Sequence, residues 1–293
     1  MIRCANELKN IVAVGKIHSI FDNAINLLYD DDRLIAILKN KTILLPYSII
    51  LDIRKFEKLK NTVQLNDNYI LKDNKLKISN VEITLENFNE NNNTKIDYSD
   101  LKKIYDITAD LFVEYKKNCF EIFATENYDD LIELLLDKYY KNNLIDFLIG
   151  RGFGLTPSGD DILNGLIYIQ KNSAYKNCNI INLEKLVKVL KKTTIFSQNM
   201  LNYAIENKYN ELFNYIILNV NNKNLVSGIL KLYGASSGFD TLLGLSLGKM
   251  IIIRHYNFIK TEKIKKTIKD NDLKNKEMIK NNKLKLDKFQ KKS

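Results

Sequence analysis

Two octets seventy-nine residues apart, SGDDILNG at 158–165 and SGFDTLLG at 237–244, share the frame S-G-x-D-x-L-x-G. In each, a serine suited to a helix N-cap precedes an aspartate at the third helical position and a glycine one turn later. A glycine inside a helix costs about 1 kcal/mol relative to alanine, so Gly165 and Gly244 require a compensating contact. Close helix packing, where any side chain would clash, supplies one. The frame therefore predicts two helices that cross at Gly165 and Gly244, with Ser158, Gly159, Ser237 and Gly238 facing one pocket at their N-termini.

The first octet closes a longer stretch, GRGFGLTPSGDD at 150–161, which holds four of the eleven glycines and one of the two prolines. It is not a dinucleotide loop, because the third glycine of G-x-G-x-x-G is missing from either start. Gly154 to Gly159 has the G-x-x-x-x-G spacing of a phosphate loop, but Asp160 and Asp161 stand where Lys and Ser/Thr belong. Carboxylates there repel a phosphate. A helix start fits better. Either Thr156 caps, with Pro157 at the first helical position, or Ser158 caps and Asp161 closes an S-x-x-D box. Capping alone leaves Gly150, Gly152 and Gly154 unexplained. Alternate glycines let backbone amides approach a ligand, and free amides at a helix N-terminus suit a small anion.

The rest of the chain changes period near its first third. Residues 11–88 hold short β-like runs (IVAVG, RLIAIL, TILLPYSIIL, NYIL, LKISNVEITL) between Asp/Asn-rich turns. NFNENNNT at 87–94 reads as a linker or long loop. Beyond it, spacing near 3.6 takes over in DLKKIYDITADLFVEY, DDLIELLLDKYY, LEKLVKVLKK, SQNMLNYAI, ELFNYIILNV and TLLGLSLGKMIII. The expected fold is α+β: a β-rich N-terminal region (1–94), a mostly helical region (95–259) with paired glycine-rich helix N-termini, and a Lys-rich tail (260–293), disordered or a frayed helix.

The formal charge of +10 invites a nucleic-acid reading that its distribution opposes. The tail from Lys260 holds thirteen Lys against five acidic residues, leaving the body with 32 basic and 30 acidic side chains. No basic patch on the body is implied, so neither nucleic acid nor, without a long apolar stretch, a membrane is an expected partner. Cys4, Cys119 and Cys178 fit neither a disulfide framework nor a zinc site and point to a reducing cytoplasm. MIRCANELKN has no apolar leader core. His18 and His255 are far apart and are read as core or surface residues rather than catalytic bases.

GRGFGLTPSGDDILNG and YGASSGFDTLLGL together resemble the paired signatures of the AllH-type oxamate carbamoyltransferase subunit family. TTIFSQNMLNYAIENKYNELF, HSIFDNAINLLYDDDRLIAIL and Pro46 resemble further parts of it, so that the likeness covers roughly residues 12–255. Ala235 stands where relatives often have a bulkier polar residue, Asn207 where glycine is frequent, and the tail is additional. The resemblance implies one subunit of a hetero-oligomeric enzyme that exchanges a carbamoyl group between oxalurate and oxamate plus phosphate, giving carbamoyl phosphate in anaerobic purine or allantoin breakdown. No cofactor and no metal are expected. If this chain carries the chemistry, Gly152, Gly154, Thr156, Ser158, Gly159, Ser236, Ser237 and Gly238 bind the small anion through amides and hydroxyls. Asp160 orients the amide nitrogen or accepts its proton, Asp161 and Asp240 cap, and Arg151 is either a cation for the site or solvated. Two other classes stay open: a non-catalytic anion-binding or regulatory subunit, and a Mg-dependent phosphotransferase using the Asp160–Asp161 pair.

Overall fold

The computed structural model describes residues 2–256, apart from positions 31, 41, 42, 91, 176, 177 and 235 and the side chain of Phe120. Ala235 and the Lys-rich tail thus lie outside the described residues. The chain divides into two compact units, Met1–Lys249 and Met250–Ser293. Residues 250–256 of the second are helical; the sheet and the site lie in the first. Among the described residues no helix is long and apolar enough to cross a membrane.

Nine strands open the first unit: β1 (Ile2–Ala5), β2 (Ala13–Ile20), β3 (Ala24–Tyr29), β4 (Arg33–Lys39), β5 (Ser48–Leu51), β6 (Asn68–Lys72), β7 (Lys75–Ile78), β8 (Val81–Thr84) and β9 (Phe88–Asn89). They form one curled sheet, a half-barrel, in the order β8-β7-β6-β2-β3-β4-β5-β1-β9. Pairing is antiparallel except between β4 and β5 and between β1 and β9. β6 and β7 alternate exposed and buried residues, as strands with one wet face do. β3 and β4 bury nearly every residue, because both faces of the sheet centre are covered. On one face Ile17, Ile25, Leu27, Ile35 and Ile37 close over Phe56 and Leu59 of helix α1 (Ile53–Thr62). On the other, Ala36, Leu38 and Ile50 pack with Leu44 and Leu45, and Phe196 and Tyr233 reach in from the helical part. Each fully buried side chain of this size contributes about 1.5–3 kcal/mol.

The helices are α2 (Tyr98–Phe123), α3 (Tyr128–Tyr140), α4 (Leu144–Leu148), α5 (Ser158–Asn172), α6 (Leu183–Val189), α7 (Ile195–Ile205), α8 (Glu211–Leu218), α9 (Lys223–Tyr233) and α10, which opens at residue 237. The α+β expectation holds, with differences in particular elements. α1 falls inside the stretch read as strands only. Its helical stripe buries just Phe56 and Leu59, and Asp52 caps it by accepting the Lys55 amide at 3.0 Å. β1, β3, α4 and α9 were absent from the expected elements. NFNENNNT is not all loop either, since Phe88 and Asn89 pair with Cys4 and Ala5.

The crossing of α5 and α10 is as the octets require. A Cβ on Gly165 would sit 2.5 Å from the Thr241 carbonyl oxygen, and one on Gly244 would sit 2.2 Å from that of Ile162. The two helices touch backbone to backbone, which brings their N-termini side by side against the sheet.

Candidate functional site

The glycine loop between α4 and α5 folds back on the helix it introduces. Gly152 adopts φ +117°, and a Cβ there would lie 2.7 Å from the Ser158 amide nitrogen. Gly154, at φ +86°, faces open space at a tip where Phe153 is 76% and Leu155 46% exposed. The Thr194 hydroxyl ties the loop down by donating to the Leu155 carbonyl at 2.5 Å. Pro157, not Thr156 or Ser158, is the N-cap, and no side chain caps α5. The Arg151 carbonyl instead accepts the Gly159 amide at 2.8 Å, and the Pro157 carbonyl accepts the amides of Asp160 and Asp161. The expected S-x-x-D box is therefore replaced by backbone bonds, and the Gly159 amide is not free for an anion. Gly159 and Gly238 serve packing: a Cβ would lie 1.9 Å from the Leu148 carbonyl oxygen in the first case and 2.6 Å from that of Leu230 in the second. Each paired helix thus starts pressed against the end of the helix before it.

Relief from capping sends the two adjacent aspartates in different directions. Asp160 turns inward to the loop and α7. Its Oδ1 accepts the Gly150 amide at 2.8 Å and its Oδ2 accepts the Thr193 hydroxyl. Burial raises its pKa, and those donors, with the Ser197 hydroxyl, pull against the rise. Asp161 points across to the start of α10, where the Ser237 and Thr156 hydroxyls favour its ionised form. Burial outweighs them, and with the charge of Asp240 it holds the Asp161 carboxyl well above the usual range. Asp240 returns the arrangement: it faces Ser158 and Ser236, and burial pushes its pKa up to about 6. The two carboxylates expected to cap are the ones left with a buried Oδ2 that has no hydrogen-bond partner among the described residues.

Thr156 Oγ1 and Ser237 Oγ, 2.8 Å apart, join the two helix starts. They also form part of the wall of a cavity of about 450 Å³ between the helices and the sheet. Leu155, Phe196, Leu232 and Tyr233 line it on the helical side; Phe21, Asn23, Asn26, Leu38 and Leu45 line it on the sheet side. The Tyr233 hydroxyl accepts from Asn210 at 2.7 Å. Ser158 is buried and Ser236 half-buried, and neither is among the residues lining the cavity. Arg151 supplies no charge to the cavity: its Nε donates to the Phe147 carbonyl at 2.7 Å, and its guanidinium lies 4.0 Å over the Phe147 ring. His18 is exposed beside Ser19, and His255 is exposed. Sequence reasoning named Thr156 and Ser237 but none of the sheet-side residues. The available signal was Asn26, the lone polar residue inside the apolar run AINLLY.

The order of these parts matches a known arrangement. A family described as oxamate carbamoyltransferase subunit AllH matches residues 148–249, which run from the end of α4 through the crossing helices. The AllH family N-terminal domain matches residues 2–91, the whole sheet with α1. No curated protein and no solved structure matches the chain. With both family segments in sequence, the chain belongs to the AllH family of oxamate carbamoyltransferase subunits.

Proposed function

We propose that the cavity between the sheet and the starts of α5 and α10 binds the amide-bearing substrate of a carbamoyl transfer, and that the residues behind its wall take the amide proton. One observation carries this reading: Asp161, against the paired Thr156 and Ser237 hydroxyls, and its neighbour Asp240 are buried carboxylates of raised pKa, each with an unpartnered oxygen. A buried carboxylate with an oxygen left unpartnered is costly to stability and is the kind of feature that accompanies proton transfer. A carboxyl with a pKa near 6 takes up and releases a proton near neutral pH.

In the forward direction the amide nitrogen of oxamate attacks the carbamoyl carbon of carbamoyl phosphate. The C–N bond forms, the C–O bond to phosphate breaks, and phosphate leaves with the electron pair. The proton lost from nitrogen passes through the Thr156–Ser237 hydroxyls to the buried Asp161–Asp240 pair, in which Asp240, ionised near neutral pH, holds the charge that accepts it. Asp160 acts as a positioning residue that holds the glycine loop, and the open backbone at Gly154 faces the anionic end of the substrates. Oxalurate and phosphate are the products, and the reverse reaction serves purine or allantoin breakdown. The chain acts with other subunits, as the family description implies.

Reconstitution with those subunits tests the reading. Ser237→Ala and Thr156→Val are expected to lower kcat for oxamate carbamoylation by roughly a hundredfold or more while the thermal midpoint changes little. Full turnover in both variants would leave the chain a non-catalytic subunit.

A further inference from the structure

Asn26 sits in β3 with Ser19 of β2 on one side and Ala36 of β4 on the other. A register shift in β2 between Ile17 and Ser19 is a bulge of the type that re-aims a side chain. It sets the Ser19 hydroxyl 3.0 Å from Asn26 Nδ2 and 3.2 Å from His18 Nδ1. Asn26 Nδ2 donates to the Ser19 hydroxyl oxygen. With Nδ2 engaged there, the carbonyl of Asn26 is the end of the amide left without a partner from Ser19. That Oδ1 is buried and has no hydrogen-bond partner among the described residues. The residue is 3% exposed and forms part of the cavity wall opposite Thr156 and Ser237.

A buried acceptor left without a donor is costly to a fold. A site built around such a group rejects ligands that cannot supply the missing hydrogen bond. We propose that Asn26 is the specificity-determining residue of this cavity, selecting a primary amide over a carboxylate by accepting one of its N–H bonds at Oδ1. A carboxylate in the same place offers only oxygens, so that two acceptors face each other with no proton between them. The inference rests on the cavity being the substrate site.

Calorimetric titration of the assembled complex with oxamate and with oxalate, which differ only by an amide against a carboxylate, reads the selection directly. The intact protein is expected to bind oxamate at least tenfold more tightly than oxalate. Asn26→Leu, close in shape and without polar atoms, is expected to weaken oxamate binding by roughly ten- to a hundredfold while leaving oxalate binding unchanged or improved. The ratio of the two affinities does not depend on how much of a variant is folded. Asn26→Ala gives the same readout if leucine disturbs the strand packing. An unchanged oxamate-to-oxalate ratio in both variants, with the intact protein selective, would overturn the role of Asn26 alone. An intact complex that binds neither compound would overturn the assignment of the cavity together with it.

Discussion

Asp160 accepts the Gly150 amide and the Thr193 hydroxyl, whereas Asp161 next to it is buried with Oδ2 unpartnered and faces Asp240. Their environments set opposite responses to substitution. Asp160→Asn removes one of two engaged acceptors and is expected to lower stability by about 1–3 kcal/mol, seen as a fall of several degrees in thermal midpoint. Asp240 behaves differently. Its folded pKa lies near 6, above the usual 3.8, so the folded state holds its proton more tightly than the unfolded chain. The stability this provides is complete below about pH 4 and is lost as pH rises through about 6, by an amount on the order of 3 kcal/mol. Asp161 is shifted in the same direction. Thermal midpoints of the intact protein should therefore fall between pH 4 and pH 7, and Asp240→Asn should flatten that profile. Parallel profiles for the two proteins would mean that Asp240 is not buried and ionisable as described. The division of labour between the adjacent aspartates was not legible in the sequence. The partners that decide it, Gly150, Thr193, Ser237 and Asp240, are 10 to 80 residues away.

At the scale of elements, the α5–α10 crossing was legible because a helical glycine needs a reason, and the same frame occurs twice. The geometry makes the two glycines intolerant. A Cβ on Gly244 or Gly165 meets the carbonyl oxygen of the other helix, which cannot move aside as a side chain does. Gly244→Ala and Gly165→Ala should each destabilise by at least 1–3 kcal/mol, despite alanine's better helix propensity. Gly228 in α9 is the control, since a Cβ there meets nothing within 4 Å. Gly228→Ala should raise stability by up to about 1 kcal/mol. Denaturant unfolding of the three variants measures this, and equal effects at all three positions would contradict the crossing. α1 and β9 escaped the sequence reading for a related reason. α1 has two buried apolar residues in ten, and β9 is two residues long inside an Asn-rich stretch. α1 does repeat its apolar residues three apart, at Ile53, Phe56 and Leu59, but over only ten residues between strand-like runs; β9 is too short to show a period, and tertiary contacts decide it.

Across the whole molecule, the cavity joins sheet residues 21–45 to helix starts at 155–156 and 237. The helical half could be read from glycines, hydroxyls and carboxylates clustered in short motifs. The sheet half could not, because only the fold brings Asn26 opposite Ser237. A second cavity, of about 750 Å³, lies elsewhere in the same unit, lined by polar residues that include Lys95, Asp97, Lys171 and Asn207, and it gives a direct alternative. The measurement that separates them is a crystal structure of the complex grown with oxamate. Oxamate is expected in the first cavity, with its amide between Asn26 and the Thr156–Ser237 pair. Oxamate bound in the second cavity or on another subunit, with the first cavity unoccupied, would contradict the account.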